Sequence, residues 1–220
     1  MIEHVNADEA AAQPALGSFM RLLAHELGNP VATIRMSAEM LQSNVPPEMH
    51  EQLSSMILEE AIHLEELIER ALFYASIGTP SPVDVDVPRL LESVAQQFPS
   101  APVSIRAAVT TLTLHADPGQ LGRMVGEAIA NAVDSGATTI ELSAEQQNGN
   151  IVIRVIDDGE GVGASAASRV FDPFYTTREG KLGLGLTIAR RIAALHGGSA
   201  EARPGTASGA EVSYSIPINR

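Results

Sequence analysis

The sequence predicts two domains: an all-α helical hairpin that pairs with a second copy into a dimeric four-helix bundle, followed by an α/β (α+β) sandwich. Three observations predict this. Apolar residues recur at helical spacing from Phe19 to Leu72, broken at the Pro46-Pro47 pair. The stretch GTPSPVDVDVP, 78–88, is proline-rich and breaks both periodicities. Beyond it, short strand-like runs alternate with helix-length segments.

Residues 1–16 (MIEHVNADEAAAQPAL) are polar and alanine-rich and are expected to form a flexible lead-in. They lack the basic start and apolar core of a signal peptide. A helix is expected over 17–43, with Phe19, Leu22, Leu23, Leu27, Val31, Ile34, Ala38 and Leu41 on one apolar stripe. The stripe passes straight through Pro30, although a mid-helix proline costs roughly 3 kcal/mol. NVPPEMH is a hairpin turn, and a second helix is expected from Glu48 to Ser76. Leu53, Met56, Ile57, Glu60, Leu64, Leu67, Ile68, Ala71 and Leu72 trace mostly one face of it, and Glu59, Glu65, Glu66 and Glu69 mostly the other, a solvated face rather than a metal site. The hairpin, 17–77, buries too little alone, so a homodimer is expected.

Residues 78–87 are expected to be a linker and 88–220 the second domain. There the pattern predicts a helix near Arg89–Gln97, strands near Val103–Ala107 and Thr111–His115, and a helix over Gly119–Asp134. Strands follow at Thr139–Ala144 and Asn150–Asp157, a helix at Leu184–His196, and strands near Ser199–Ala202 and Ala210–Ile216.

Composition excludes several function classes. Lys plus Arg number 14 against 27 Asp plus Glu, a formal charge of -13, which repels a phosphate backbone, so no nucleic-acid partner is expected. There are no cysteines, hence no disulfide, thiolate nucleophile or cysteine metal site. No apolar run approaches the roughly 20 residues of a membrane span, and a cytoplasmic protein is expected. His4, His50, His63 and His115 have no second ligand at metal spacing, and His196 in ALHGG reads as a structural turn residue.

Three clusters in the second domain carry chemistry. EAIANAVDSGA puts Glu127 and Asn131 four apart, on one helix face. VIDDGEGVG delivers Asp157 from a strand into a loop with Gly159, Gly161 and Gly163, where backbone must approach something closely. REGKLGLGLTIARRI sets Gly183 and Gly185 just before a helix, whose first amides suit a phosphate.

In this order the clusters resemble the catalytic domain of sensor histidine kinases, within the gyrase, Hsp90 and mismatch-repair ATPase superfamily; the likeness covers about residues 17–218. EAIANA resembles the N box, which implies that Asn131 coordinates Mg²⁺ bridging the phosphates of ATP. DDGEG resembles the first glycine box, which implies that Asp157 accepts a hydrogen bond from the adenine amino group beside Gly159 and Gly161. VFDPFYTT, 170–177, resembles the F box and GLGLT, 183–187, the second glycine box, with REGK as a short lid between them. The family thus implies an ATP-binding sandwich of the Bergerat type, with Glu127, Arg178, Lys181, Gly183, Gly185 and Leu186 also at the nucleotide.

HELGNP in the first helix resembles the H box, which implies that His25 is the phosphoacceptor. Glu26 suits the role of orienting the ring and taking its proton. Pro30 removes the amide that would bond back toward Glu26, and is expected to loosen or bend the helix below the histidine. Asn29 stands one turn along on the face of His25, where the family implies help in placing a water that attacks the phospho-aspartate of a partner. The resemblance therefore implies an autokinase that passes phosphate from His25 to the receiver domain of a response regulator, and dephosphorylates it.

The sequence departs from the family pattern in three places. Gly28 stands where a basic residue is common, at a helix-propensity cost of roughly 1 kcal/mol. Asp134 stands where many members carry a cation, leaving one phosphate contact to Arg178 or Lys181. Glu127 is Asn in many members, while in hydrolytic relatives the matching Glu activates water. Two alternatives therefore stay open: a phosphotransfer or phosphatase scaffold with a lapsed ATP site, and an ATPase clamp using Glu127. The short segment ahead of the first helix leads us to expect a signal from a separate sensor protein, or a cut-down chain.

Overall fold

The computed structural model describes residues 5–43, 45–106, 111–178, 180–205 and 208–218. The chain divides into two compact units, residues 1–76 with 177–182, and residues 77–176 with 183–220.

The first unit is a hairpin of α1 (Val5–Gln42) and α2 (Pro47–Ser76). Helix α1 starts at Val5, well before the expected position 17, because the alanine-rich run ahead of it has high helix propensity. It also runs unbroken through Pro30, which is buried. One turn on, the Thr33 hydroxyl donates to the Asn29 carbonyl at 3.2 Å, a back-bond that often bends a helix. The helices close on Phe19, Leu53, Leu67 and Ala71, all buried. Phe19 stacks on Tyr74, with ring centroids 4.3 Å apart and an interplanar angle of 20°.

Several residues assigned to the apolar stripes face solvent in a single hairpin. Leu22 and Val31 of α1, and Ile68 and Leu72 of α2, are exposed, as are Met36, Met40, Leu58 and Ile62. Asn44 of the turn lies outside the described residues.

The second unit contains β1 (Val83–Asp86), α3 (Val87–Ala95), β2 (Val103–Arg106), β3 (Thr113–Ala116), α4 (Pro118–Asp134), β4 (Ile140–Gln147) and β5 (Asn150–Asp157). It continues with α5 (Ala164–Ala167), α6 (Gly185–Leu195), β6 (Ser199–Pro204) and β7 (Ala210–Pro217). A five-stranded sheet runs in the order β2-β4-β5-β7-β6, and β1 pairs with β3 in a separate ribbon. Only β2 and β4 are parallel among the sheet neighbours.

Strand β1 corrects the expected linker. The run VDVD alternates at period two, with Val85 buried and Asp84 outside, and this signal outweighs the flanking prolines. Its last residue, Asp86, accepts the Arg89 amide and caps α3, as Asp117 accepts the Gln120 amide and caps α4. Each aspartate precedes a helix with proline in the first turn. The β4–β5 hairpin turns on Asn148-Gly149, both at positive φ (51° and 80°), as a type I′ turn needs. The expected strand end at Ala107 lies outside the described residues.

The core lies between one sheet face and the helices. Leu121, Met124, Val125 and Ile129 of α4 and Ile188 and Ile192 of α6 meet Ile140, Leu142, Ile151, Ile153 and Tyr214 from the strands, all fully buried. The opposite face is polar, with Arg154 bridging Glu145 at 2.8 Å and Glu211 at 3.4 Å. His196, buried after α6, is fixed at both nitrogens. Its Nδ1–H donates to the Ile192 carbonyl at 2.9 Å, so Nε2 is free to accept the Asp117 amide at 3.1 Å. That neutral tautomer bolts the end of α6 to the start of α4.

Candidate functional site

On α1, His25 and Asn29 are exposed, Glu26 is half-buried and Gly28 faces open space. The i, i+4 spacing puts His25 and Asn29 on one solvent-facing strip of a rigid helix. An exposed imidazole is accessible to a phosphoryl donor, and Glu26 is the next residue along the helix.

In the second unit, Asp157 ends β5 and is buried, with Oδ1 accepting the Gly159 amide at 2.9 Å. The next residue anchors the loop: Asp158 accepts the Thr138 and Thr139 amides at 2.7 and 2.8 Å and the Thr138 hydroxyl at 2.6 Å. The Thr138 hydroxyl and Thr139 amide, outweighing desolvation, hold this carboxyl far below the usual range. Gly159 rests on Ser135 at the end of α4, and Gly161 on the carbonyl of Gly209.

Helix α4 presents Glu127 and Asn131 toward the same side, with Glu127 buried and Asn131 half-buried. Glu127 Oε1 pairs with Arg123 one turn earlier at 2.6 Å. Gly185 and Glu127 approach closely: a Cβ at Gly185 would stand 2.7 Å from Glu127 Oε2, so the carboxylate end would have to shift. Thus α4 and the first residue of α6 meet at the Glu127 carboxylate. The start of α6 carries no side-chain cap, its preceding residue being Leu184, so the anion-binding role of its first amides is not taken by a neighbouring hydroxyl or carboxylate from that position. Tyr214 lies fully buried below, its phenol pushed up by burial and then by the charge of Glu127.

The segment between the F-box residues and α6 is tied at its base. The Phe174 amide donates to the Gly183 carbonyl at 3.1 Å, and the Thr187 hydroxyl donates to the Phe171 carbonyl at 3.1 Å. Phe174 has φ of 62°, unusual for a bulky residue and a sign of stored strain at this base. Arg169 stacks over Tyr175, 4.4 Å from the ring centroid. Between the ties, Arg178 is half-buried and Lys181 exposed, while Glu179 lies outside the described residues.

The structure therefore brings Glu127 and Gly185 together and seats Asp157, Gly159 and Gly161 in one anchored loop; Leu186, next to Gly185, is buried. Sequence reasoning missed Arg123, and covered Phe174 and Thr187 only as members of the VFDPFYTT and GLGLT runs. Arg123 was legible as the i−4 partner of a buried acid; the others show only through backbone geometry. Among the described residues no group of three or more His, Cys, Asp or Glu could hold a metal. Asn131, half-buried on the α4 side that carries Glu127, offers an amide oxygen, a hard donor of the kind an oxygen-seeking divalent cation takes.

Residues 15–80 match the family described as "His Kinase A (phospho-acceptor) domain". Residues 116–220 match "Histidine kinase-, DNA gyrase B-, and HSP90-like ATPase". The sensor protein CreC of Escherichia coli is 30% identical over 84% of this chain, and the match spans 42% of CreC. The sensor histidine kinase ZraS of the same organism is 27% identical over 93% of this chain and 46% of ZraS. The chain thus spans less than half the length of the curated relatives just described. Among solved structures, the ATP binding domain of PrrB from Mycobacterium tuberculosis is 31% identical with a TM-score of 0.54, covering 63% of this chain and 98% of that one. The histidine kinase ThkA, solved in complex with the response regulator protein TrrA, covers 100% of this chain and 68% of that one, with a TM-score of 0.76 at 21% identity, and shares the fold. With both domains in order and a solved domain matched along nearly its whole length, this chain belongs to the sensor histidine kinase family.

Proposed function

We propose that the chain is an ATP-dependent histidine autokinase. The observation that carries this is the presence, in one chain, of an exposed histidine on a phosphoacceptor hairpin and of a second unit with a buried carboxylate in a glycine loop and an uncapped helix start. In the second unit Asp157 reads the adenine amino group and the first amides of α6 meet the phosphates; the family resemblance adds Arg178 and Lys181, of the lid segment, as phosphate cations. Mg²⁺, when bound, supplies charge neutralisation, with Asn131 as its protein ligand.

A nitrogen of His25 attacks the γ-phosphorus of ATP as the bond to the β,γ-bridging oxygen breaks, ADP leaves, and Glu26 takes the ring proton. The chemistry is largely positioning and charge stabilisation. An aspartate oxygen of a receiver domain then attacks the same phosphorus, freeing His25. Asn29 places the water that later hydrolyses the phospho-aspartate. The exposed apolar residues of both helices, Val31, Met36, Leu58 and Ile62 among them, form the seam of a homodimeric bundle. No described helix is long and apolar enough to cross a membrane, and we place the activity in the cytoplasm, where ATP is supplied.

The test is a pulse of γ-labelled ATP with Mg²⁺, followed by addition of a purified receiver domain. Acid-labile, base-stable label on the chain that moves to the receiver is expected. Free phosphate released without any labelled chain contradicts the proposal.

A further inference from the structure

The strongest unassigned feature is the ion pair at the meeting of α4 and α6. Glu127 is 6% exposed and its partner Arg123 44%, so the acid is inside the seam and the base reaches it from the rim. One carboxylate oxygen takes the guanidinium at 2.6 Å and the other lies against Gly185, the first residue of α6. A bare carboxylate there would repel any polyphosphate drawn to the α6 amides. Asn, common in the family at this position, brings no such charge.

We propose that Arg123 is a positioning residue for the nucleotide, pairing with Glu127 so that the α4–α6 seam presents no net charge to the phosphates. The inference rests on the reading of this unit as an ATP site. It explains how the chain tolerates Glu where an amide would serve, and it assigns Arg123 a task distinct from touching the nucleotide. Full burial of the Tyr214 phenol, which pushes its pKa up ahead of the charge of Glu127, agrees with a seam that is low in dielectric, where an unbalanced charge acts strongly.

Charge compensation has a signature that a purely structural pair lacks, because the two single variants shift affinity in opposite directions. With the full chain, ATP and ADP affinities in Mg²⁺ are measured by calorimetry for the wild type, Arg123→Gln, Glu127→Gln, the double variant and Arg123→Lys, alongside melting without nucleotide. Arg123→Gln is expected to weaken ATP binding about tenfold and Glu127→Gln to tighten it about threefold, from one unit of charge near the phosphates. The double variant falls between them and Arg123→Lys restores binding. The shifts are larger for ATP than for ADP and shrink in about 0.5 M salt.

Weakening by both single variants, or equal shifts for ATP and ADP, overturns the inference and leaves the ATP site standing. A wild-type chain that melts cooperatively yet binds neither nucleotide overturns both. Since loss of Arg123 strands a buried carboxylate, Glu127→Gln carries the sign test even if Arg123→Gln does not fold.

Discussion

Replacing Gly183 by alanine tests the tie at the base of the candidate lid. Gly183 has φ of 63°, and an alanine Cβ there would stand 2.6 Å from the Tyr175 carbonyl oxygen and 2.7 Å from the Phe174 carbonyl carbon. Left-handed backbone costs a residue with a Cβ about 1–2 kcal/mol. The second term is overpacking against main chain, which cannot rotate away as a side chain can, at about 1–3 kcal/mol. Together they predict a loss of about 2–5 kcal/mol, or a melting-temperature drop of about 6–15 °C for a domain of this size. Gly136 is the control: its φ is 72° but nothing lies within 4 Å of its Cβ position, so Gly136→Ala should show the conformational cost of about 1–2 kcal/mol alone. Melting of both variants by calorimetry, reading the transition of the second unit, decides it. Equal destabilisation of the two variants would refute the steric part of the reasoning, and an unchanged Gly183→Ala would refute the backbone geometry.

Three further outcomes follow from particular contacts. Burial raises the Asp117 carboxyl but is outweighed by the amides of Ser81, Gln120 and Gly119, so its folded value lies below the ordinary 3.8. A depressed carboxylate contributes stability above its unfolded value and loses it as pH falls through the folded one; the wild-type advantage over Asp117→Asn should therefore be full at pH 6 and vanish in acid melts well below 3.8. The Tyr214 hydroxyl is buried with no hydrogen-bond partner among the described residues, so Tyr214→Phe should keep or raise stability, by up to about 1 kcal/mol in urea unfolding; a loss above that would show the hydroxyl to be bonded. Leu58→Lys with Ile62→Lys places two charges on apolar surface that is 62% and 48% exposed in one chain; sedimentation should show a monomer, and a persistent dimer would put the seam elsewhere.

Much of the fold was legible because its signals are periodic. The two long helices, and the order of helices and strands in the second unit apart from β1 and the short α5, followed from apolar spacing and turn residues. The strand Val83–Asp86 was hidden inside a proline-rich stretch, its period-two valines too few to stand out until β3 paired with them. The exposed side of the hairpin was blurred for a related reason: periodicity marks every apolar position, and cannot separate residues buried within one hairpin, such as Leu67, from those left for a second copy, such as Leu72. Motif order singled out Glu127, Asn131, Asp157 and the glycines as candidates, but how they couple was not legible. That Glu127 abuts Gly185 and takes Arg123, or that Phe174 carries a positive φ, depends on how distant segments meet.

The measurement that bears most directly on the central claim is site mapping of the phosphoryl group. Wild type, His25→Ala and Glu127→Ala are incubated with γ-labelled ATP and Mg²⁺, and both protein-bound label and released phosphate are followed, with phosphopeptides mapped at neutral pH. The account predicts a single acid-labile phosphohistidine at His25, absent from His25→Ala. Phosphate release that persists in His25→Ala and disappears in Glu127→Ala, with no labelled chain, would contradict it and make the second unit a hydrolase that uses Glu127.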